Sequence, residues 1–259
     1  MADPVRGFYD ALAADYHRIF EDWDAAVVRQ GGVLAALLAR LGAAPGAAVL
    51  DCTCGIGTQA LGLAARGYRV HGTDLSGAAI ARARREAARL GIVASFAVAD
   101  VRALDAAVPG SYDAVVALDN SLSHLETADD LSRALRAMAA RAASGGIVLA
   151  SVRDYDRLAA TREAATHPRI RKEPDGRSVT FQLWTWDDDG AGYEAEMLLL
   201  AESPSGWHVE SSRTRLRALR RADVVEAFTA AGLDDVGVHE PAESGYYQPL
   251  VSGRQPAEP

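Results

Sequence analysis

The chain has 259 residues, 49% of them hydrophobic, and a formal net charge of −8 from 35 acidic and 27 basic side chains. That is enough apolar material for one full core carrying a subdomain, and it excludes a globally disordered chain. Dispersed basic residues argue against a nucleic-acid partner, whose phosphates demand a basic face. The local group Arg213, Arg215, Arg217, Arg220 and Arg221 reads as a solvated strand face followed by a helix start.

The opening MADPVRGFYD carries acids and no apolar segment, so no signal peptide is expected. No uninterrupted apolar run reaches the roughly 18 residues of a membrane span. A cytoplasmic protein with no membrane contact is the expectation. Residues 8–42 read as helical, with Leu12, Tyr16, Ile19, Val27, Leu34, Leu37, Leu38 and Leu41 at near-helical spacing. After Gly42 and Pro45 an alternation begins. Strands are expected at 47–51, 68–74, 93–100, 112–119 and 146–154, and helices at 58–67, 76–91 and 127–146. Ser76 is the expected N-cap and Gly91 the C-cap of the 76–91 helix. Such βαβ spacing predicts an α/β fold: a doubly wound, Rossmann-like sheet with helices on both faces, binding ligands beyond the strands' carboxyl ends.

Past Asp156 the pattern changes. Residues 178–190, 191–202 and 206–219 read as three antiparallel strands, with Trp184, Trp186 and Trp207 forming either a small core, which we take, or an aromatic substrate wall. A helix at 221–233 and strands at 234–241 and 246–254 then complete a seven-stranded sheet. The division expected is a helical cap (1–46), a ligand-binding core (47–156), an antiparallel insert or lid (157–219) and a completion of the core sheet (220–254). The tail QPAEP is polar and Pro-rich.

The most informative stretch is VLDCTCGIGTQA, residues 49–60. Cys52 and Cys54 are too few for a disulfide framework, and no other Cys or His clusters nearby, so no metal is expected. Gly55-Ile56-Gly57-Thr58-Gln59-Ala60 matches G-x-G-x-x-A, a pattern that dinucleotide folds also use. Asp74 follows Gly55 by 19 positions at the end of the second strand, where a carboxylate suits a ribose. Asp51 breaks the tie. A carboxylate at that hinge repels a pyrophosphate and suits a ligand bearing a cationic amine, and S-adenosylmethionine is such a ligand. Asp100 and Val101 follow the third strand, where an adenine edge would lie.

The stretch VLDCTCGIGTQALGLAARGYRVHGTDLS resembles motif I and the ribose acid of class I S-adenosylmethionine-dependent methyltransferases. ALDNSLSHL, residues 117–125, is similar to the segment after strand four in the glycine N-methyltransferase and glycine/sarcosine N-methyltransferase group. The resemblance implies Cys52, Gly55, Gly57, Leu75, Leu118 and Ser121 against the cofactor, with Asn120 and His124 at its reacting end. Arg29, 22 positions before Asp51, matches the family arginine for the cofactor carboxylate. VRDYD, residues 152–156, resembles the family's Arg-Asn-Tyr-Asp. It implies that Arg153 holds an anionic group of the acceptor, with Tyr155 beside it, while Asp154 in place of Asn puts glycine itself in doubt. An N-terminal tyrosine covers the cofactor in these enzymes. Spacing does not choose between Tyr9 and Tyr16, and we take Tyr16 for the cofactor and Tyr9 for the acceptor. Tyr246 and Tyr247 are further acceptor candidates.

The resulting expectation is a methyltransferase acting on a nitrogen of a small, amino-acid-like or natural-product acceptor. S-adenosylmethionine is the donor and S-adenosylhomocysteine the product, and His124 is the candidate proton acceptor. An O-methyltransferase, a non-catalytic S-adenosylmethionine-binding module and a nicotinamide-dependent reductase are the competing readings. The acceptor stays open, as do N against O and a homo-oligomeric state.

Overall fold

The computed structural model describes residues 3–106, 108–173 and 176–257. Seven strands form the central sheet: β1 (Ala48–Asp51), β2 (Arg69–Asp74), β3 (Ser95–Val98), β4 (Tyr112–Ala117), β5 (Ala142–Ser151), β10 (Asp234–His239) and β11 (Leu250–Arg254). Their order is β10-β11-β5-β4-β1-β2-β3. The first five run parallel, and β11 is antiparallel to both of its neighbours. The order reverses between β1 and β4, so a crevice opens there beyond the strands' carboxyl ends.

The strands form because their side chains alternate between two apolar layers. Leu50, Val115, Ala117, Val148 and Ala150 face one core, which includes Leu131, Leu135 and Met138 of α5 (Ala128–Arg141) and Phe228 of α7 (Arg221–Ala230). Val49, Ala114, Val116, Ile147 and Leu149 face the other, against α2 (Trp23–Arg40), α3 (Thr58–Ala64) and α4 (Gly77–Leu90). A period of two along each strand, buried on both sides, is what a sheet covered by helices requires. Ser76 caps α4 by accepting from the Ala79 N–H, and Gly91 ends it in the left-handed conformation.

The largest departures from the sequence reading are at the element ends that follow. The 8–42 region is not one helix but α1 (Pro4–Leu12), a 3₁₀ turn (Tyr16–Ile19) and α2. Asp22 breaks it, because its carboxylate accepts the Ala25 N–H and starts a fresh helix. The helix expected to reach 146 ends at Arg141, and β5 starts at Ala142. The final strand starts at Leu250, just past Pro249, which has no N–H to donate to a ladder.

The insert has four antiparallel strands where three were expected: β6 (Arg169–Glu173), β7 (Gly176–Trp186), β8 (Gly192–Ser203) and β9 (Gly206–Arg217), in that order. The added strand, RIRKE, is short, charged and exposed at the sheet edge, so it carries no apolar period to read. Trp184 is buried, but Trp207 is 46% exposed and lies outside any core, against the Arg177 guanidinium. The insert folds back onto the N-terminal segment. Thr180 donates to the Arg18 carbonyl at 2.9 Å, Arg169 and Arg171 donate to the Ile19 and His17 carbonyls, and Met197 packs on Phe8 and Leu12. The remaining helices, α6 (Tyr155–Thr161) and α8 (Pro241–Ser244), flank the same end of the central sheet.

Helices α2 and α3 cross in backbone contact at Gly31 and Gly62. A Cβ on Gly31 would lie 2.4 Å from the Gly62 carbonyl carbon. Gly31→Ala therefore forces the helices apart and is expected to cost about 1–3 kcal/mol, lowering Tm by roughly 2–4 °C per kcal/mol. Gly7→Ala, where a Cβ meets nothing within 4 Å, should leave Tm unchanged or raise it by the helix-propensity gain of about 0.5–1 kcal/mol. A thermal melt of the two variants beside the parent checks both.

Candidate functional site

Strand β1 delivers Asp51 to the crevice, and the chain then turns through Cys52–Gly57 into α3. Gly57 takes φ 96°, and a Cβ there would press on the Leu61 side chain at 3.1 Å. Asp74, at the end of β2, pins the turn: its two oxygens accept the Gly55 and Ser76 N–H groups, each at 2.9 Å. Asp51 is buried. One of its oxygens accepts the Thr53 N–H at 3.3 Å, and Oδ2 has no partner among the described residues. Asp119, two residues past β4, is the third carboxylate. Its Oδ2 accepts from Gln59 Nε2 at 3.1 Å, and its Oδ1 is inaccessible and unpartnered among the described residues.

These acids are held in unfavourable company. Burial pushes the Asp51 carboxyl up to about 8; the Thr53 N–H opposes this, and the charges of Asp74 and Asp119 add to it. Burial also raises Asp74, against the N–H bonds from Ser76 and Gly55. It raises Asp119 as well, against the Gln59 bond and the charges of Arg153 and Arg169. Asp100 behaves differently. Burial would raise it, but the Arg102 guanidinium forks onto it at 2.9 and 2.6 Å and holds it below the ordinary carboxylate value.

Two chambers meet at this point. The smaller, about 100 Å³, is walled by the turn, by Asp74, Leu75, Asp100 and Val101, and by Leu118, Ser121 and Leu125. The larger, about 940 Å³, opens between the N-terminal segment, the insert and the carboxyl end of β5. Tyr9, Tyr16, Asp119 and His124 wall both. The His124 ring is neutral at pH 7: burial, then the Arg153 charge, push it down to about 4. Its Nε2 lies 2.8 Å from the Tyr9 hydroxyl and its Nδ1 3.2 Å from the Thr214 hydroxyl, so both ring nitrogens are engaged.

The smaller chamber thus brings together Tyr9, Tyr16, Cys52, Gly55, Asp74, Leu75, Asp100, Val101, Leu118, Ser121 and His124. Asn120, Arg153, Arg29 and Tyr247 line the larger cleft instead. Arg29 is exposed there, away from the smaller chamber. Asp51 and Gly57 stand behind the walls.

Two acceptor candidates are not cleft residues. Tyr155 is fully buried, its hydroxyl accepting from Asn120 Nδ2 at 2.9 Å and bonding the Tyr193 hydroxyl at 3.1 Å. Tyr246 is buried too, with its hydroxyl 3.4 Å from Gln59 Nε2. Each ring is large and apolar and packs inward, and its hydroxyl finds a buried polar partner.

Several residues at or behind the walls escaped the sequence reading. Thr53 bonds the Ser121 hydroxyl at 2.9 Å. Gln59 links Gln30, at 2.7 Å, to Asp119. Arg153 donates to the Tyr193 hydroxyl at 2.6 Å and to Gln182 Oε1 at 3.1 Å, and its guanidinium lies 4.8 Å from the Trp184 ring centre. These hydrogen-bond partners are neutral, and the guanidinium stays charged. Asp119 did carry a local signal: an Asp-Asn pair directly after a buried strand, two residue types that tolerate positive φ. Gln182 and Tyr193 come from the insert, and no motif marks them, whereas Trp184, one of the three tryptophans singled out in the sequence, lines the larger cleft. Among the described residues no group of three or more His, Cys, Asp or Glu side chains is placed to hold a metal, and no helix is long and apolar enough to cross a membrane.

Residues 49–146 match a family described as a methyltransferase domain. Over 137 residues the chain is 34% identical to a glycine/sarcosine N-methyltransferase of Parasynechococcus marenigrum, covering 53% of this chain and 48% of that one. The chain thus spans about half the length of the curated relatives it matches. Among solved structures it is similar to the CcbJ methyltransferase of Streptomyces caelestis, with TM-score 0.76, 23% identity and coverage of 96% and 98% of the two chains. It is also similar to a sugar N-methyltransferase from a Streptoalloteichus species, with TM-score 0.75, 21% identity and coverage of 100% and 96%. At these identities the structural likeness speaks to the fold.

The raised Asp51 carboxyl makes a signed prediction. Its pKa of about 8 lies far above the ordinary aspartate value of 3.8, so between those values the folded chain holds a proton that the unfolded chain has lost. Its contribution to stability therefore falls as pH rises through that window. Asp51→Asn removes this loss. The ligand-free variant should gain on the parent by at least roughly 1 kcal/mol between pH 5 and pH 8, read from denaturant unfolding at the two pH values.

Proposed function

Because this chain carries a methyltransferase domain at residues 49–146 on a class I methyltransferase fold and resembles the glycine/sarcosine N-methyltransferases, we propose that it methylates a nitrogen of a small-molecule acceptor, using S-adenosylmethionine. The observation that carries the reading is the unpartnered buried carboxylate oxygen Asp51 Oδ2 beside the glycine turn. A phosphate there would hold the Asp51 carboxyl in its protonated form, whereas a ligand with a sulfonium and an ammonium supplies the positive charge that favours the carboxylate.

The donor set fits that ligand. Each Asp74 oxygen keeps a lone pair beyond the N–H it accepts, enough for two ribose hydroxyls. Leu75, Ala99, Val101 and Leu125 offer an apolar slot for the base, with Asp100 and Arg102 at its rim. The sulfonium supplies an already activated methyl carbon, so the chain's task is to align the acceptor and exclude water. Tyr9 and Tyr16 roof the chamber and separate it from the larger cleft.

The cleft supports an acceptor larger than glycine. At about 940 Å³ it lies at the upper end of the roughly 300–1,000 Å³ that drug-sized ligands occupy. Arg153, charged and held by neutral groups, suits an anionic substituent on that acceptor.

S-adenosylmethionine and S-adenosylhomocysteine should each raise Tm by mass action, and NADH should not. Asp74→Ala should weaken both adenosyl ligands by about 10–100-fold, the worth of two charge-assisted hydrogen bonds. Calorimetric titration checks the affinities, and unchanged binding in Asp74→Ala would overturn the site.

A further inference from the structure

Asp119 has a backbone conformation that side chains rarely adopt: its φ is 60°, followed by 66° at Asn120. The surrounding structure fixes it there from two directions. Its N–H donates to Ser151 Oγ on β5 at 2.8 Å, and that hydroxyl donates to Gln248 Oε1 at 2.8 Å. Its Oδ2 accepts from Gln59 on α3, whose amide nitrogen also reaches Gln30 Oε1 and the Tyr246 hydroxyl. Oδ1 is left without a partner among the described residues, and the residue walls both chambers.

A carboxylate at the junction of the two chambers, with one oxygen tied and the other buried without a partner, lacks a cation that the cleft can supply. His124 stands at the same junction, but both of its nitrogens are engaged and burial disfavours its protonated form. The proton acceptor must therefore be sought elsewhere. We propose that Asp119 binds the acceptor's ammonium through Oδ1 and takes its proton, so that the amine meets the methyl donor neutral. This rests on the N-methylation reading above.

The balance closes. R–NH₃⁺ gives one proton to the Asp119 carboxylate. The freed nitrogen lone pair forms the N–C bond as the C–S pair returns to sulfur. The product leaves as R–NH₂⁺–CH₃, and the carboxyl proton passes to water. A raised Asp119 carboxyl, favoured by burial, narrows the gap across which that first proton must move.

The test uses the full chain loaded with S-adenosylhomocysteine and titrated with benzylamine, with benzyl alcohol as the uncharged counterpart. Asp119→Asn and Asp119→Gly should each lose tenfold or more in benzylamine affinity. They should bind S-adenosylhomocysteine within twofold of the parent and leave benzyl alcohol unaffected. Glycine is at ease at a φ of 60°, so Asp119→Gly removes the carboxylate while favouring the fold. Difference infrared spectra of the parent should gain a protonated-carboxyl band on adding benzylamine, absent in both variants.

Loss of S-adenosylhomocysteine affinity with benzylamine binding retained would assign the carboxylate to the methyl donor and overturn the proposal. So would a parent that binds no benzylamine. Amine binding without the infrared band would overturn the proton transfer. A parent that binds no S-adenosylhomocysteine would instead sink the methyltransferase reading itself.

Discussion

The site depends on one electrostatic constraint: three carboxylates, Asp51, Asp74 and Asp119, crowd the carboxyl ends of β1, β2 and β4, where burial first, and then the charges of Asp74 and Asp119, raise the Asp51 carboxyl. Folding alone does not favour this. Each acid loses hydration, and the backbone N–H groups that Asp74 gathers compensate only part of the loss. Such an arrangement persists where the rest of the fold over-determines it. Here the two apolar layers of the sheet, the backbone contact at Gly31 and Gly62, and the Gln30–Gln59–Asp119 chain hold the strand ends whether or not the charges are balanced.

The insert and the N-terminal segment then turn a charged crevice into a divided one. The β7 and β6 side chains Thr180, Arg169 and Arg171 fasten the 3₁₀ turn at its carbonyls, while Asp10 accepts from Ser76 Oγ and Arg82 donates to the Ala14 carbonyl on the core side. The segment that roofs the small chamber is thus anchored to both sheets. Arg153 gains its setting from the same closure, because Gln182, Trp184 and Tyr193 reach it from the insert.

What was legible in the sequence follows from the range of each interaction. The central strands were readable because burial on both faces leaves continuous apolar runs. The glycine turn with Asp51 and Asp74 was readable because its partners are local. The edge strand Arg169–Glu173 was not, since an exposed charged strand has no apolar period. Tyr155 and Tyr246 have the chemistry of cleft residues, and nothing near them in sequence reveals that Tyr193 and Gln59 draw their hydroxyls into the interior. Asp119 stands in the quoted motif but acquires its character from Ser151, Gln248 and Gln59, which lie 32, 129 and 60 positions away in a network that no spacing rule describes.

Tyr9, Tyr16, Asp119 and His124 are a party wall, one surface belonging to one chamber and the other to its neighbour. A guest that straightens this wall from one side alters the room on the other. Linkage makes any such influence mutual, so by whatever factor an occupied small chamber sharpens the cleft's grip, an occupied cleft sharpens the small chamber's by the same factor. Product release inherits the bond as well: while either guest remains, the partition stays set for both.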